Sequence, residues 1–340
     1  MSEPLLTIVV PCYNEEEVLT ESSKQLDQIL IDLIEKQQIS SKSKLLFVND
    51  GSVDDTWKII KELQKKSEFE GISFSRNFEH QNALLAGMTV ANEYSDIIIT
   101  IDADLQDDVA CISEMVEKYK EGNDIVYAVR NDRKSDTIFK RKTAQFFYWM
   151  MKKMGVDLVP NHSDYRLLSK RAVSTLLQYH EENLFLRAIV PALGYKSNKV
   201  YYKRKKRLAG TSHCPLRKMI NFAVDGITSF TISPIRIIMY LGFLIMFLSG
   251  IGLCILVGTY FYLHTVSGWT SIIMVSIFFF SGFQMVNVCM VGIYVGKTYI
   301  ETKHRPQYVI EEKAFSATEV TGRSSHATMR YKESQKERKI

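Results

Sequence analysis

The stretch Ile97-Ile98-Ile99-Thr100-Ile101-Asp102-Ala103-Asp104-Leu105-Gln106-Asp107-Asp108 runs from apolar, mostly β-branched side chains directly into acid. The apolar run has the length and character of a strand buried on both faces. Asp102 and Asp104 alternate by two, so an extended backbone would point both carboxylates the same way. Two carboxylates at a strand end suit a hard divalent cation, Mg2+ or Mn2+, bridging to substrate phosphates. Gln106 would add a further oxygen ligand. An isolated D-x-D is equally a solvated acidic turn, with Asp107 or Asp108 capping the following helix.

Other groups with chemical potential sit at similar places. Leu5–Val10 reads as a strand ending in Pro11-Cys12-Tyr13-Asn14-Glu15, and Lys44–Asn49 as one ending in Asp50-Gly51-Ser52. Ile72–Ser75 ends in Arg76-Asn77, and Asp124–Val129 ends at Arg130. Helical stretches lie between them, at about 18–36, from Thr56, and at about 81–92. Alternating strands and helices imply an α/β fold with a mainly parallel sheet. Ligands of such sheets bind beyond the carboxyl ends of the strands, so polar residues at every strand end point to a cleft there. Pro11 and Tyr13 would wall a nucleotide base, Glu15 would accept from ribose hydroxyls, and Asp50 would accept from a base N–H. Asp-Gly-Ser is also an ordinary turn sequence. No phosphate-cradling G-x-x-x-x-G-K-[ST] and no G-x-G-x-x-G occurs. His80 and His162 are isolated, and lone histidines are more often structural than catalytic.

The chain divides by composition. Residues 1–232 read as a globular domain, 235–297 are strongly apolar, and 298–340 form a polar, largely flexible tail. Ile237–Leu263 and Ile272–Val295 carry no charged residue and are each long enough to cross a bilayer. Their connector holds no Lys or Arg, while Arg236, Lys297, Lys303 and Arg305 flank the pair. This distribution places the large domain and the tail in the cytoplasm. Gly250, Gly252 and Gly258 would allow the apolar pair to pack against a second copy, giving a homo-oligomer. Ile138–Met154 and residues 215–232 read as amphipathic helices suited to a membrane interface. The N-terminus lacks the basic region of a signal peptide. Five scattered cysteines suit free thiols in a reducing compartment. Nothing in the charge pattern calls for nucleic acid.

Taken in order, Pro11-Cys12-Tyr13-Asn14-Glu15, Val48-Asn49-Asp50-Gly51-Ser52, Ser75-Arg76-Asn77 and Asp102-Ala103-Asp104-Leu105-Gln106 resemble the family 2 inverting glycosyltransferases. Asp164-Tyr165-Arg166-Leu167-Leu168, the loop Arg204-x-x-Arg207-x-Ala209-Gly210-Thr211 and the C-terminal apolar pair narrow the resemblance to the polyprenyl-phosphate branch. That branch includes dolichyl-phosphate mannose synthases and bacterial undecaprenyl-phosphate glucosyltransferases. The resemblance implies a GT-A fold, Rossmann-like, and a metal at Asp102, Asp104 and Gln106. It implies nucleotide contacts at Pro11, Tyr13, Glu15 and Asp50, to which we add Arg76 and Asp102. Two positions depart from the pattern: Glu79 stands where glycine is common, and His213 where lysine is frequent.

The activity so implied is transfer of a hexose, glucose favoured, from a UDP-sugar to undecaprenyl phosphate at the bacterial plasma membrane. The product would be a lipid-linked sugar for cell-envelope glycan modification. The acceptor is already an anion and needs positioning more than a base. Arg130 with Lys140 or Arg141 would hold the lipid phosphate, Arg204 and Arg207 the donor diphosphate. Asp164 would orient the sugar or these cations. Asp102, Asp104, Asp164 and Arg130 are therefore the expected catalytic set. UDP-GlcNAc or another nucleotide sugar is the alternative donor. A processive polysaccharide synthase would share the motifs but carry more spans and a Q-x-x-R-W motif, of which Gln145-Phe146-Phe147-Tyr148-Trp149 is a superficial echo. A tethered, non-catalytic nucleotide-sugar-binding protein would bind the donor without turnover.

Overall fold

The structure, a computed structural model, describes residues 3–131, 151–153, 159–160, 162–179, 185–203, 269–303 and 305–315. In chain order its elements are β1 (Leu6–Cys12), α1 (Glu16–Glu35), β2 (Lys44–Asn49), α2 (Thr56–Leu63), β3 (Phe69–Phe74), α3 (His80–Asn92) and β4 (Ile97–Thr100). There follow α4 (Cys111–Lys120), β5 (Ile125–Arg130), β6 (His162–Ser169), α5 (Lys170–Leu176), α6 (Leu186–Ala192), β7 (Ser197–Tyr202), α7 (Trp269–Thr302) and β8 (Ile310–Ala314).

The strands form one sheet in the order β7-β5-β6-β4-β1-β2-β3-β8. β1 pairs in parallel with both β2 and β4, and β2 with β3. The order β3-β2-β1-β4 is that of a mononucleotide-binding half, in which successive strands run one way from β1 and then the other. The reversal between β1 and β4 opens a crevice beyond their carboxyl ends. β6 is inserted antiparallel between β4 and β5, and β7 runs parallel to β5. Because β6 runs against its neighbours, its first residues arrive at the edge where β4 and β5 end. Residues 162–164 thereby reach the same rim as Asp102 and Arg130.

Burial sorts the helices onto two faces. Leu6, Ile8, Val10 and Cys12 of β1 join one core with Leu19, Leu26, Leu30 and Leu33 of α1 and Ile112, Met115 and Val116 of α4. On the opposite face α3 approaches so closely that a Cβ on Gly87 would lie 2.3 Å from Val9 Cγ1. A glycine there is the condition for that packing.

Within the polar stretch from 298, Ile310–Ala314 form a strand. β8 pairs antiparallel with β3 and caps that end of the sheet. Tyr308 stacks on Phe74 at 5.4 Å, and Trp57 Nε1 donates to Glu312 at 2.6 Å. The strand escapes a sequence reading because it is a largely exposed edge, rich in charge and without inward alternation.

The chain divides into two compact units, the second made of Trp149–Val156 and Cys214–Arg305. Of that unit the structure describes Met151–Lys153, which are helical, and α7, a continuous helix of 34 residues. Counted over the described residues, no helix is long and apolar enough to cross a membrane. The rest of the amphipathic stretch 138–154, the stretch 215–232, the apolar segment 237–263 and the tail past 315 lie outside the described residues. Cys12 and Cys111 are buried and form no disulfide.

Candidate active site

The loops after β1, β2 and β3 are laced together. Asn14 receives a bond from Val53 N at 2.9 Å and gives its own N–H to Ser52 Oγ at 3.0 Å. Glu15 N donates to Thr56 Oγ1 at 2.9 Å, and Asn49 Nδ2 to Ser73 Oγ at 2.9 Å. Gly51 lies at φ 66°, and a Cβ there would come within 2.3 Å of the Arg76 carbonyl carbon. The turn after β2 therefore rests directly on the backbone after β3, an approach that only glycine permits. Pro11 is buried, while Tyr13 is 47% exposed at the mouth. Arg76 lies over the Phe78 ring, 4.0 Å from its centroid. Asp50 is buried, and its Oδ1 accepts from Phe78 N at 2.7 Å. Burial pushes its carboxyl up to about 6, although the Phe78 N–H bond and His80 favour the anion.

β4 ends at Thr100, so Asp102 and Asp104 lie beyond the strand, Asp104 in a turn. The two-residue alternation of an extended chain is thus not what relates them. The backbone turns at Leu105, with φ 55°, and Gln106 N donates to Asp104 Oδ1 at 3.1 Å. Their charges still interact. Burial raises the Asp102 pKa; His80 opposes that rise, while Asp164 and Asp104 add to it. Among the described residues no group of three or more His, Cys, Asp or Glu could hold a metal alone. Mg2+ is commonly held by only one or two carboxylates, with substrate phosphates and water completing its shell. The donor set at Asp102 and Asp104, hard oxygens carrying mutual repulsion, fits such an ion.

Alternation along β6 puts Asp164 and Arg166 on one face and Ser163 and Tyr165 on the other. Asp164 is buried, and its Oδ1 accepts from Arg166 while its Oδ2 accepts from Arg187 at 3.0 Å. His80 Nε2 stands 3.5 Å from Asp102 Oδ1 and 3.6 Å from Asp164 Oδ2. Burial works against the Asp164 charge, but Arg187, His80 and Arg166 outweigh it and hold the carboxyl well below the usual range. Burial also opposes a charged His80, yet Asp164 and Asp102 raise it to about 8. The charged form of His80 is thereby favoured between Asp102 and Asp164, with its ring 43% exposed.

By sequence alone His80 reads only as an isolated histidine, Arg166 stands within a motif without a role, and Arg187 is not singled out. Arg166 carried a readable signal, since it lies two residues from Asp164 in a strand and so shares its face. Nothing local ties His80 to residues 102 and 164. Arg130 sits where expected, at the end of β5, and Asp102 is among the charges that favour its cation. Lys140, Arg141, Arg204, Arg207 and His213 lie outside the described residues. Asp107 does not cap α4, whose N-cap is Ala110.

Glu79, the departure in the Arg-Asn-Phe-x-His stretch, holds φ 76° and ψ 152° just before α3. That region is almost confined to glycine, which explains why glycine suits this position. Relief of about 1–3 kcal/mol of strain, less about 0.5–1 kcal/mol for glycine's freer unfolded chain, should leave Glu79→Gly more stable by about 1 kcal/mol. Denaturant unfolding would check this, and a less stable variant would mean the Glu79 side chain contributes more than its backbone costs.

The pattern of glycosyl transferase family 2 matches residues 7–177. The chain is 49% identical to an uncharacterized glycosyltransferase, YkoT, of Bacillus subtilis (strain 168), covering 91% of this chain and 92% of that protein. It is 37% identical to a prophage bactoprenol glucosyl transferase homolog of Escherichia coli (strain K12), covering 90% and 98%. It is 36% identical to the bactoprenol glucosyl transferase of Shigella phage SfV, covering 91% and 98%.

Proposed function

Because this chain belongs to glycosyl transferase family 2, we propose that it moves a hexose, glucose first, from a UDP-sugar to undecaprenyl phosphate with inversion. The reaction would take place at the bacterial plasma membrane and make a lipid-linked sugar for envelope glycans. One observation carries this reading. The carboxylate facing the metal-side acids, Asp164, is clamped by Arg166, Arg187 and His80 and held strongly ionised. Such a group is a poor proton acceptor. It suits a reaction whose nucleophile is already an anion, as a lipid phosphate is. The full-length likeness to bactoprenol glucosyl transferases supports the same acceptor.

In this reading a phosphate oxygen of the acceptor attacks the anomeric carbon. The bond to the donor diphosphate breaks, UDP leaves with the electron pair, and an α-linked donor gives a β-linked product. Tyr13 and Pro11 wall the base, Asp50 accepts from uracil N–H, and Glu15 and Arg76 flank the nucleoside. Asp102, Asp104 and Gln106 would hold Mg2+ or Mn2+, which when bound neutralises the diphosphate and the charge that grows on the leaving group. Arg187 and His80 fix the Asp164 carboxylate for contact with sugar hydroxyls. Arg130, with Lys140 and Arg141, meets the acceptor phosphate, and Arg204 and Arg207 meet the donor diphosphate. Ile272–Val295 carries no charged residue, and with Ile237–Leu263 it would form a two-helix anchor. That anchor would keep the cleft at the cytoplasmic surface, with 1–232 as the catalytic domain.

Turnover across UDP-glucose, UDP-GlcNAc, UDP-galactose and GDP-mannose, with undecaprenyl phosphate as acceptor, tests the assignment. UDP-glucose should lead. A preference for GDP-mannose, or turnover with none of the four, would refute it.

Asp50 supplies a pH test. Its carboxyl ionises at about 6 in the folded protein against 3.8 ordinarily. The ionised form therefore costs stability. The penalty is absent below 3.8, grows between 3.8 and about 6, and is full above that. Asp50→Asn, which keeps an oxygen for Phe78 N–H, should stabilise the unliganded protein above pH 6 and leave it unchanged near pH 3.8. It should also weaken UDP-sugar binding by roughly tenfold, through loss of one charge-assisted bond. In the wild type the donor KM should rise as pH falls below about 6, and the variant should lack that rise. Pairing the two profiles with unfolding curves checks both halves.

A further inference from the structure

A second polar cluster lies on the other face of β6. Arg130 and Tyr202 are register partners at the ends of the parallel strands β5 and β7. Arg130 Nε donates to Tyr202 Oη at 3.2 Å, and Tyr202 Oη donates in turn to Asp107 Oδ1. Ser163 Oγ lies 3.4 Å from Asp107 Oδ2 and 3.3 Å from Tyr202 Oη. Asp107, Tyr202 and Ser163 are all buried, whereas the Arg130 side chain is 26% exposed. The chain of donors thus starts at the rim of the cleft and ends on an acid three residues past Asp104. Tyr165 closes the arrangement. Its ring packs edge-on to Tyr202 at 5.8 Å, and its hydroxyl donates to Asp108 O at 3.1 Å.

We propose that Tyr202 and Asp107 are positioning residues for the acceptor, fixing the Arg130 guanidinium and tying it to the loop that carries Asp102 and Asp104. The proposal rests on the reading that Arg130 meets the acceptor phosphate.

Three features support it beyond simple core packing. A buried carboxylate is costly unless it is fully hydrogen-bonded, and an apolar residue at 107 would avoid that cost. Arg130 NH2 is 3.8 Å from Asp107 Oδ1, too long for a hydrogen bond, so the connection runs through the hydroxyl. The acid therefore orients the cation without forming a close pair that would compete with a phosphate. A bond at Nε also fixes the plane of the guanidinium, and a planar fork recognises phosphate oxygens only when correctly turned. Loop and cation then move as one body, which sets the distance between donor diphosphate and acceptor.

Tyr202→Phe in the full-length protein removes the relay while keeping the ring in the core. The KM for undecaprenyl phosphate should rise about tenfold, the worth of one charge-assisted hydrogen bond. The donor KM and the Mg2+ requirement should stay unchanged. Arg130→Ala should raise the acceptor KM further, and adding Tyr202→Phe to it should have no extra effect. If Tyr202→Phe shifts donor and acceptor KM alike, or adds in full to Arg130→Ala, the tyrosine is only structural and the proposal is overturned. If Arg130→Ala leaves the acceptor KM unchanged, the acceptor assignment itself falls, whatever Tyr202 does.

Discussion

Asp104→Asn should lower sugar transfer on the order of 10³-fold, the effect of losing several kcal/mol of charge stabilisation at the leaving group. Asp104 is buried beside the sheet's rim, and its Oδ1 already accepts the Gln106 N–H at 3.1 Å. Asparagine can accept the same bond, so the turn through Leu105 should keep its form. What asparagine lacks is the negative charge, so its neutral oxygen would hold a hard cation far more weakly. The loss should therefore be in kcat, with thermal unfolding unchanged, and extra Mg2+ should recover part of the activity. A variant as active as the wild type would remove Asp104 from the metal site. A variant that unfolds would mean that the acid holds the loop rather than an ion.

Asp164→Leu should have the larger effect on stability. Arg166 is 2% exposed, and burial lowers its pKa even with Asp164 beside it. Removing its partner leaves an uncompensated buried cation, which typically costs about 3–5 kcal/mol. Arg187 and His80 lose the same anchor. The stability that Asp164 supplies is present above its ordinary ionisation near 3.8 and is lost only as pH falls through its lower folded value. The variant should hence be weaker than the wild type at neutral pH, and the two should converge in strong acid. Adding Arg166→Met, which replaces the orphaned cation with an apolar side chain, should restore much of the lost stability but none of the activity. Urea unfolding of the three proteins at neutral and acid pH would decide the matter. Equal stability of the single variant and the wild type would show that Arg166 does not depend on Asp164.

The sequence made one half of the site readable and left the other half obscure, for a physical reason. Residues at the ends of β1, β2, β3 and β4 announce themselves because each parallel strand is a short apolar run that stops at a polar residue. Their convergence follows from the right-handed crossover rule without further information. Asp164 was readable as part of a motif, but its company was not. Its meeting with His80 depends on β6 entering antiparallel between β4 and β5, and strand order is not a local property of the chain. The same insertion hid Asp107 and Tyr202, which are 95 residues apart and meet only because β7 pairs with β5. By sequence alone Asp107 reads as a helix cap, since an acid before a helix ordinarily is one. β8 reads as part of a polar tail because an edge strand paired on one side needs no alternating pattern. Glu79 shows the converse. A glutamate stands out there in the sequence, and the structure supplies the cause, a backbone conformation that asks for glycine.

That the acids at this rim hold a metal-bound sugar diphosphate beside a lipid phosphate can be tested most directly by incubating the purified full-length protein with UDP-[14C]glucose, undecaprenyl phosphate and Mg2+, then extracting with chloroform. Label should appear in the organic phase, with none when EDTA replaces Mg2+ and almost none with Asp104→Asn. Label confined to the aqueous phase, in protein that still binds UDP, would contradict it and leave a tethered nucleotide-sugar-binding domain.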